Sequence, residues 1–190
     1  MRARGGKLAL RLSCRRATFG VPGLRNAADI PAIARAALQR SEELADAAYS
    51  VEPGSGTLSA IDGLSSTLCG VLDALECARN VHPDEDFTEA ADTAYQELAE
   101  RMTELNTDER LHAAVAAVAG SERSAASLSP EHLRFARAMV AEFEHDGASL
   151  SARDRGKLRA LHADVERRVG DSPHYQLWAL AMRNVGRHHH

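Results

Sequence analysis

At 190 residues and a formal net charge of −4, the chain has room for one ordinary hydrophobic core, and its charge gives no general argument for nucleic-acid binding. Hydrophobic residues at 44% and charged residues at 26% give the balance of a soluble globular domain, and no run of roughly 18 apolar residues announces a membrane span. Aromatic residues at 4%, beside abundant alanine, favour helices over strands.

Residues 1–28 contain no Asp or Glu, whereas Arg2, Arg4, Lys7, Arg11, Arg15, Arg16 and Arg25 are basic and Leu8, Leu10 and Leu12 are interleaved with them. An Arg-rich, acid-free start is the pattern of an organellar transit peptide, so residues 1–18 are assigned to import, with Arg15 and Arg16 as a processing neighbourhood. A basic arm touching RNA or acidic lipid is the alternative. The apolar core of a secretory signal is missing.

Residues 19–24 form a short loop containing glycine and proline. Asp29 is placed to cap a helix with Pro31 in its first turn, and Ile33, Ala37, Leu44 and Ala48 share one face of it. Pro53, Gly54 and Gly56 mark a break, after which Ser55 or Thr57 is expected to cap the next helix. Its apolar residues recur at Leu58, Ile61, Leu64, Leu68, Val71, Leu72 and Leu75, while Ser59, Asp62, Ser66, Asp73 and Glu76 fall on the other side. Gly70 lies on that polar side, as a place of close approach or as a tolerated weak spot.

Pro83 ends the series. The next helix opens on Asp84, Glu85 and Asp86, whose carboxylates complement the positive end of the helix dipole, and its stripe runs through Phe87, Ala91, Ala94, Leu98, Met102 and Leu105. Glu89, Asp92, Glu97, Glu100 and Glu104 make it acidic outside. That is either a solvated face or a surface for basic peptides, for which Glu97, Glu100 and Glu104 are the candidates.

Thr107 is expected to cap a helix carrying Leu111, Val115 and Val118 and stopping at Gly120, with residues 121–127 as a polar linker. Ser129-Pro130-Glu131 is a compound start signal: cap, proline at the first position and acid in the first turn. Leu128 and Leu133 stand where a hydrophobic staple would put them. Leu133, Ala136, Val140 and Phe143 form the expected buried stripe, closed by Gly147. Ser151 and Asp154 resemble a capping box, opening a helix whose buried stripe would be Leu158, Leu161, Val165 and Val169. A last helix over residues 173–183 would bury Leu177, Trp178 and Leu180. The terminal His188, His189 and His190 are set aside. The expected fold is all-α, an antiparallel array of about six amphipathic helices.

Chemistry is sparse. A zinc peptidase helix of the HExxH type needs two imidazoles one turn apart beside a general base, yet none of His82, His112, His132, His145, His162 or His174 is followed by Glu. His162 with Glu166, and His145 with Asp146, could each offer two ligands, but no further partners are indicated, so they read as surface pairs. There is no phosphate loop and no GxSxG elbow. Cys69 and Cys77, eight residues apart on one helix, are separated by about 12 Å and cannot bridge. With Cys14 they read as reduced packing residues. No catalytic residue and no metal ligand is assigned.

The helical centre nevertheless resembles a known family. Ile61-Asp62, Ser65-Ser66-Thr67-Leu68-Cys69, Val71-Leu72-Asp73, Glu76-Cys77-Ala78-Arg79 and His82-Pro83 look like mitochondrial intermediate peptidase. So do Phe87, Ala90-Ala91, Tyr95, Glu97-Leu98 and the Glu104-Leu105-Asn106-Thr107 turn. Phe19-Gly20-Val21-Pro22-Gly23-Leu24 is similar to the start of the mature region, and Leu128-Ser129-Pro130-Glu131, Phe135-Ala136, Glu142-Phe143 and Asp146-Gly147 continue the match.

The resemblance implies part of the N-terminal helical lobe of a zinc metalloendopeptidase related to thimet oligopeptidase. That family removes octapeptides from imported precursors in the mitochondrial matrix. It implies zinc in the full-length family, peptide or precursor-protein substrates, and a partner in a C-terminal catalytic lobe absent from this sequence. No nucleic acid and no membrane span are implied. Residues 19–170 would be the peptidase-family region and 171–190 a divergent tail. Without HExxH the portion would be inactive alone. The alternative is a non-catalytic helical module that binds basic presequences through its acidic face.

Overall fold

A computed structural model describes residues 18–170. Residues 1–17 of the expected transit segment, Cys14 among them, lie outside these, as do His174 and the expected helix over residues 173–183. The described chain is all-α, with seven helices: α1 (Ile30–Ser50), α2 (Ser55–Val81), α3 (Glu85–Asn106), α4 (Glu109–Gly120), α5 (Glu122–Ser127), α6 (Pro130–His145) and α7 (Ala152–Gly170). Short connections turn α1, α2 and α3 up, down and up. Three cross-links show that α1 and α3 run parallel: Pro31 shares a groove with Ala90 and Thr93, Ser41 meets Arg101, and Tyr49 meets Asp108. α4 packs on α6 and joins this layer beside α1.

The stripes expected on α2 and α3 form the core. Leu58, Ile61, Leu64, Leu68, Leu75, Phe87, Ala91, Ala94, Leu98 and Leu105 are buried, and burying each such leucine is worth about 2 kcal/mol. α2 is long and apolar enough by composition to cross a bilayer. It is a core helix, however, packed between α1 and α3 with Asp62 and Asp73 exposed on its outer side.

Arg79 fastens α2 to α3. Its guanidinium reaches Glu76 at 2.6 Å and Asp92 of α3 at 2.8 Å, and lies 3.9 Å over the Tyr95 ring. Of the two expected readings of Gly70 in α2, the structure agrees with the tolerated weak spot and not with close approach. A Cβ on Gly70 would meet nothing within 4 Å, whereas Gly63, also within the helix, lies against the Leu44 side chain of α1.

The loop before α1 consists of two consecutive turns. Val21 N–H donates to Thr18 O at 3.1 Å, and Leu24 N–H to Val21 O at 3.2 Å. Pro22 followed by Gly23 at φ +90° fits the second. Phe19, itself at φ +51°, lies against His82 and Phe87 at 6.2 Å between ring centroids, and those two rings stack at 3.9 Å. With Leu24 1% exposed, this loop closes one end of the core.

Several caps differ from expectation. Asp29 precedes α1 but makes no side-chain cap there. Its carboxylate turns back to accept from Arg25 and Asn26, completing a capping box on the 3₁₀ turn Ala27–Asp29, and the Arg25 hydrogen bond holds it below the usual carboxylate range. Gly54, not Ser55 or Thr57, caps α2, and Thr57 is buried. Asp108, not Thr107, caps α4 by accepting from Arg110 and Leu111 N–H. Thr107 is buried instead, its hydroxyl donating to Thr103 O and accepting from Arg159.

Residues 121–127 are not a linker. Ser121 caps the short helix α5, whose Ser124 is buried. Ser129 caps α6 as expected, and Ala136 and Phe143 are buried on it, with Leu128 and Val140 packed beside the core. Ser151 accepts from Asp154 N–H at 3.2 Å and donates to the Asp154 carboxylate at 2.8 Å, so the acid engages the cap's hydroxyl.

The stripe expected on α7 is not a buried one. Leu158 is half-buried, but Leu161 is 61% exposed and Val165 56%, because no described element lies over that side; the side chain of Val169 is outside the described residues. Cys77 is likewise exposed, not a packing residue, and Cys69 is half-buried, both as free thiols.

Candidate peptide-facing surface

α3 places its carboxylates by helical repeat. Asp86, Glu89, Glu97, Glu100 and Glu104 recur at steps of three, four and eight, so all face one exposed side next to α1. Between that side and the start of α1 lies an open groove of about 340 Å³, lined by Pro31, Asp86, Glu89, Ala90, Thr93, Ala94 and Glu97. Its floor is alanine and proline and its rim is carboxylate.

Among the three expected residues, only Glu97 lines this groove. Glu100 and Glu104 continue the same face beyond it, and Glu104 is held at 3.1 Å by Arg101, which also donates to Ser41 at 3.2 Å. Asp86 and Glu89 were not among the candidates. The spacing that picked out Glu97 extends back to them, but the groove arises from α1 passing alongside, which no local pattern reports. Such a site can attract a cation-rich segment and seat small apolar side chains.

Three of the described histidines are engaged structurally. His82 stacks on Phe87, and its Nδ1 accepts from Asp84 N–H at 3.2 Å. His132 Nδ1 is 3.1 Å from Ser129 Oγ, the atom that caps α6. His112 lies against Phe143; its buried Nε2 makes no hydrogen bond, and the nearest acid oxygen, on Glu144, stands at 3.7 Å. His145 and His162 are exposed, and the Glu166 side chain lies outside the described residues. Among the described residues no group of three or more His, Cys, Asp or Glu is placed to hold a metal. The described residues therefore offer no ligand set that would fit zinc.

Comparison with known proteins follows the resemblance. The chain is 33% identical over 116 residues to the mitochondrial intermediate peptidase of Homo sapiens, covering 61% of this chain and 16% of that protein. It is 35% identical over 116 residues to that of Coprinopsis cinerea, covering 59% and 15%. With the Pleurotus djamor protein, identity is 43% over 70 residues, 37% of this chain and 9% of the relative. The resemblance to this peptidase is borne out, and the chain spans about a sixth of the length of the curated relatives it matches. No family model matches the chain, and no solved structure matches it.

Proposed function

We propose that this chain supplies part of the helical N-terminal portion of a mitochondrial intermediate peptidase-like zinc metalloendopeptidase, with the reactive centre on polypeptide outside it. The observation that carries the reading is similarity to these peptidases in a chain that holds no HExxH in any of its 190 residues. On this reading residues 1–18 direct import to the mitochondrial matrix, residues 19–170 form a wall beside the peptide path, and residues 171–190 are a divergent tail. The substrates are imported precursor proteins that lose an N-terminal octapeptide. The partner is the C-terminal catalytic lobe, which brings the zinc. The chain alone is inactive. The test is an assay of the purified 190-residue chain on octapeptide-bearing precursor peptides with added zinc. Absence of cleavage is expected, and chelator-sensitive cleavage would overturn the proposal.

A second reading is favoured by the groove, where Glu97 stands with Asp86 and Glu89 over an alanine floor. It makes the chain a non-catalytic module that holds basic presequences. It requires binding of an Arg-rich peptide that weakens with salt, since exposed charges are screened beyond about 10 Å at 0.1 M.

A further inference from the structure

α7 is joined to the rest of the fold by arginine more than by apolar packing. Of its described large apolar side chains, Leu158 is half-buried beside Gly147, while Leu161 and Val165 are more than half exposed. None of the described side chains of α7 belongs to the buried core, whereas Leu111, Val115 and Val118 of the shorter α4 all do.

Two guanidinium groups make the attachment. Arg155, with a side chain only 13% exposed, donates to Glu109 Oε2 in the first turn of α4 at 2.6 Å and to the carbonyl oxygens of Ala148 and Leu150 in the loop that leads into α7. One turn further along the same side, Arg159 donates from Nε to Thr107 Oγ1 at 2.6 Å and from Nη2 to Glu104 O at 3.3 Å. Glu104 lies in the last turn of α3, where the helix dipole favours a cation. Both arginines therefore converge on the corner where α3 hands over to α4.

That corner does not depend on them. The Thr107 hydroxyl keeps its own bond to Thr103 O at 2.9 Å, and Asp108 caps α4 with its own carboxylate. Losing α7 would cost the core little buried apolar surface, which places it at the low end of local stability. Away from its support the helix has little to hold it, since most helical stability comes from tertiary packing and Gly156 in its interior weakens it further.

We propose that α7 is a releasable arm: Arg155 and Arg159 latch it to the α3–α4 corner, and it detaches and melts as one unit while α1 to α6 stay folded. Opening withdraws two positive charges from the corner and bares Thr107, Glu109 and the last carbonyls of α3.

Hydrogen exchange of the full chain, read by mass spectrometry on peptides from each helix, tests this. In the natural chain the amides of α7 should exchange together and at least about tenfold faster than those of α2 and α3. Arg155→Gln with Arg159→Gln should quicken α7 further and leave α2 and α3 unchanged. Leu161→Gln with Val165→Gln, at exposed positions, should leave the exchange of α7 as it was. Exchange of α7 in step with α2 and α3 in the natural chain would overturn the proposal. So would an arginine pair that quickens every helix alike, or a Leu161 and Val165 pair that quickens α7 as much as the arginine pair, which would make apolar cover the latch.

Discussion

The Tyr49 hydroxyl donates to Asp108 Oδ2 at 2.9 Å across 59 residues of sequence, joining the last turn of α1 to the cap of α4. Arg110, in the first turn of α4, lies 3.6 Å over the same ring. One tyrosine thus links a cap, a hydrogen bond and a cation–π contact. Burial first, and then Asp108, push its pKa up to about 12 from the ordinary 10.0. The fold favours the neutral phenol, so its contribution is fully present below pH 10 and is lost as pH rises toward 12. Urea midpoints measured across that range should fall more steeply for the natural chain than for Tyr49→Phe. At neutral pH the variant should be less stable by about 1–2 kcal/mol, the worth of a hydrogen bond to a carboxylate.

Glycine-to-alanine substitution should have opposite signs at two sites. At Gly70, inside α2, a Cβ meets nothing within 4 Å, so alanine should stabilise by about 0.5–1 kcal/mol through the unfolded chain's lost freedom. At Gly147, φ is +94° and a Cβ would stand 2.6 Å from Leu158 Cδ2 and 3.0 Å from Leu150 Cδ1. Alanine there meets both backbone strain and overpacking, and should destabilise by about 1–3 kcal/mol. Chemical denaturation of the two variants side by side measures both.

Arg79→Lys keeps the charge but cannot keep the geometry. An ammonium cannot bond Glu76 and Asp92 through a rigid fork while stacking on Tyr95. Because both acids are partly exposed, the ion pairs are individually modest. The stacked, largely covered guanidinium carries most of the effect, and urea unfolding should show a loss of about 1 kcal/mol of stability.

For the acidic face, neutralising Glu97, Glu100 and Glu104 to Gln should leave the helical signal unchanged and weaken an Arg-rich peptide at low salt. If the groove is the seat, Asp86→Asn with Glu89→Gln and Glu97→Gln should weaken it further. Titration by fluorescence anisotropy at two salt concentrations separates the sets, and equal affinity for both would remove the groove from the account.

The large helices were legible because their apolar spacing and their burial express the same periodicity, as Leu68 and Leu98 on α2 and α3 show with 0% exposure. Caps were less so. Thr107 and Asp108 are adjacent and both suit a helix start, and only tertiary packing, with Arg159 drawing the Thr107 hydroxyl inward, leaves the cap to Asp108. Ser121 to Ser127 carries no apolar stripe, so α5 could not be read from periodicity. For α7 the spacing was right and the burial was not, since periodicity reports which side of a helix is apolar and says nothing of what lies over it. On α3, the carboxylates were readable singly; their sharing of a groove with Pro31 depends on the parallel course of α1.

Our proposal is that this chain is scaffold and that the reactive metal centre lies on polypeptide outside it. The most direct measurement incubates the purified 190-residue chain with an internally quenched precursor peptide, with and without added zinc. Fluorescence no higher than buffer is expected in both arms. Hydrolysis that a chelator abolishes and zinc restores would contradict it.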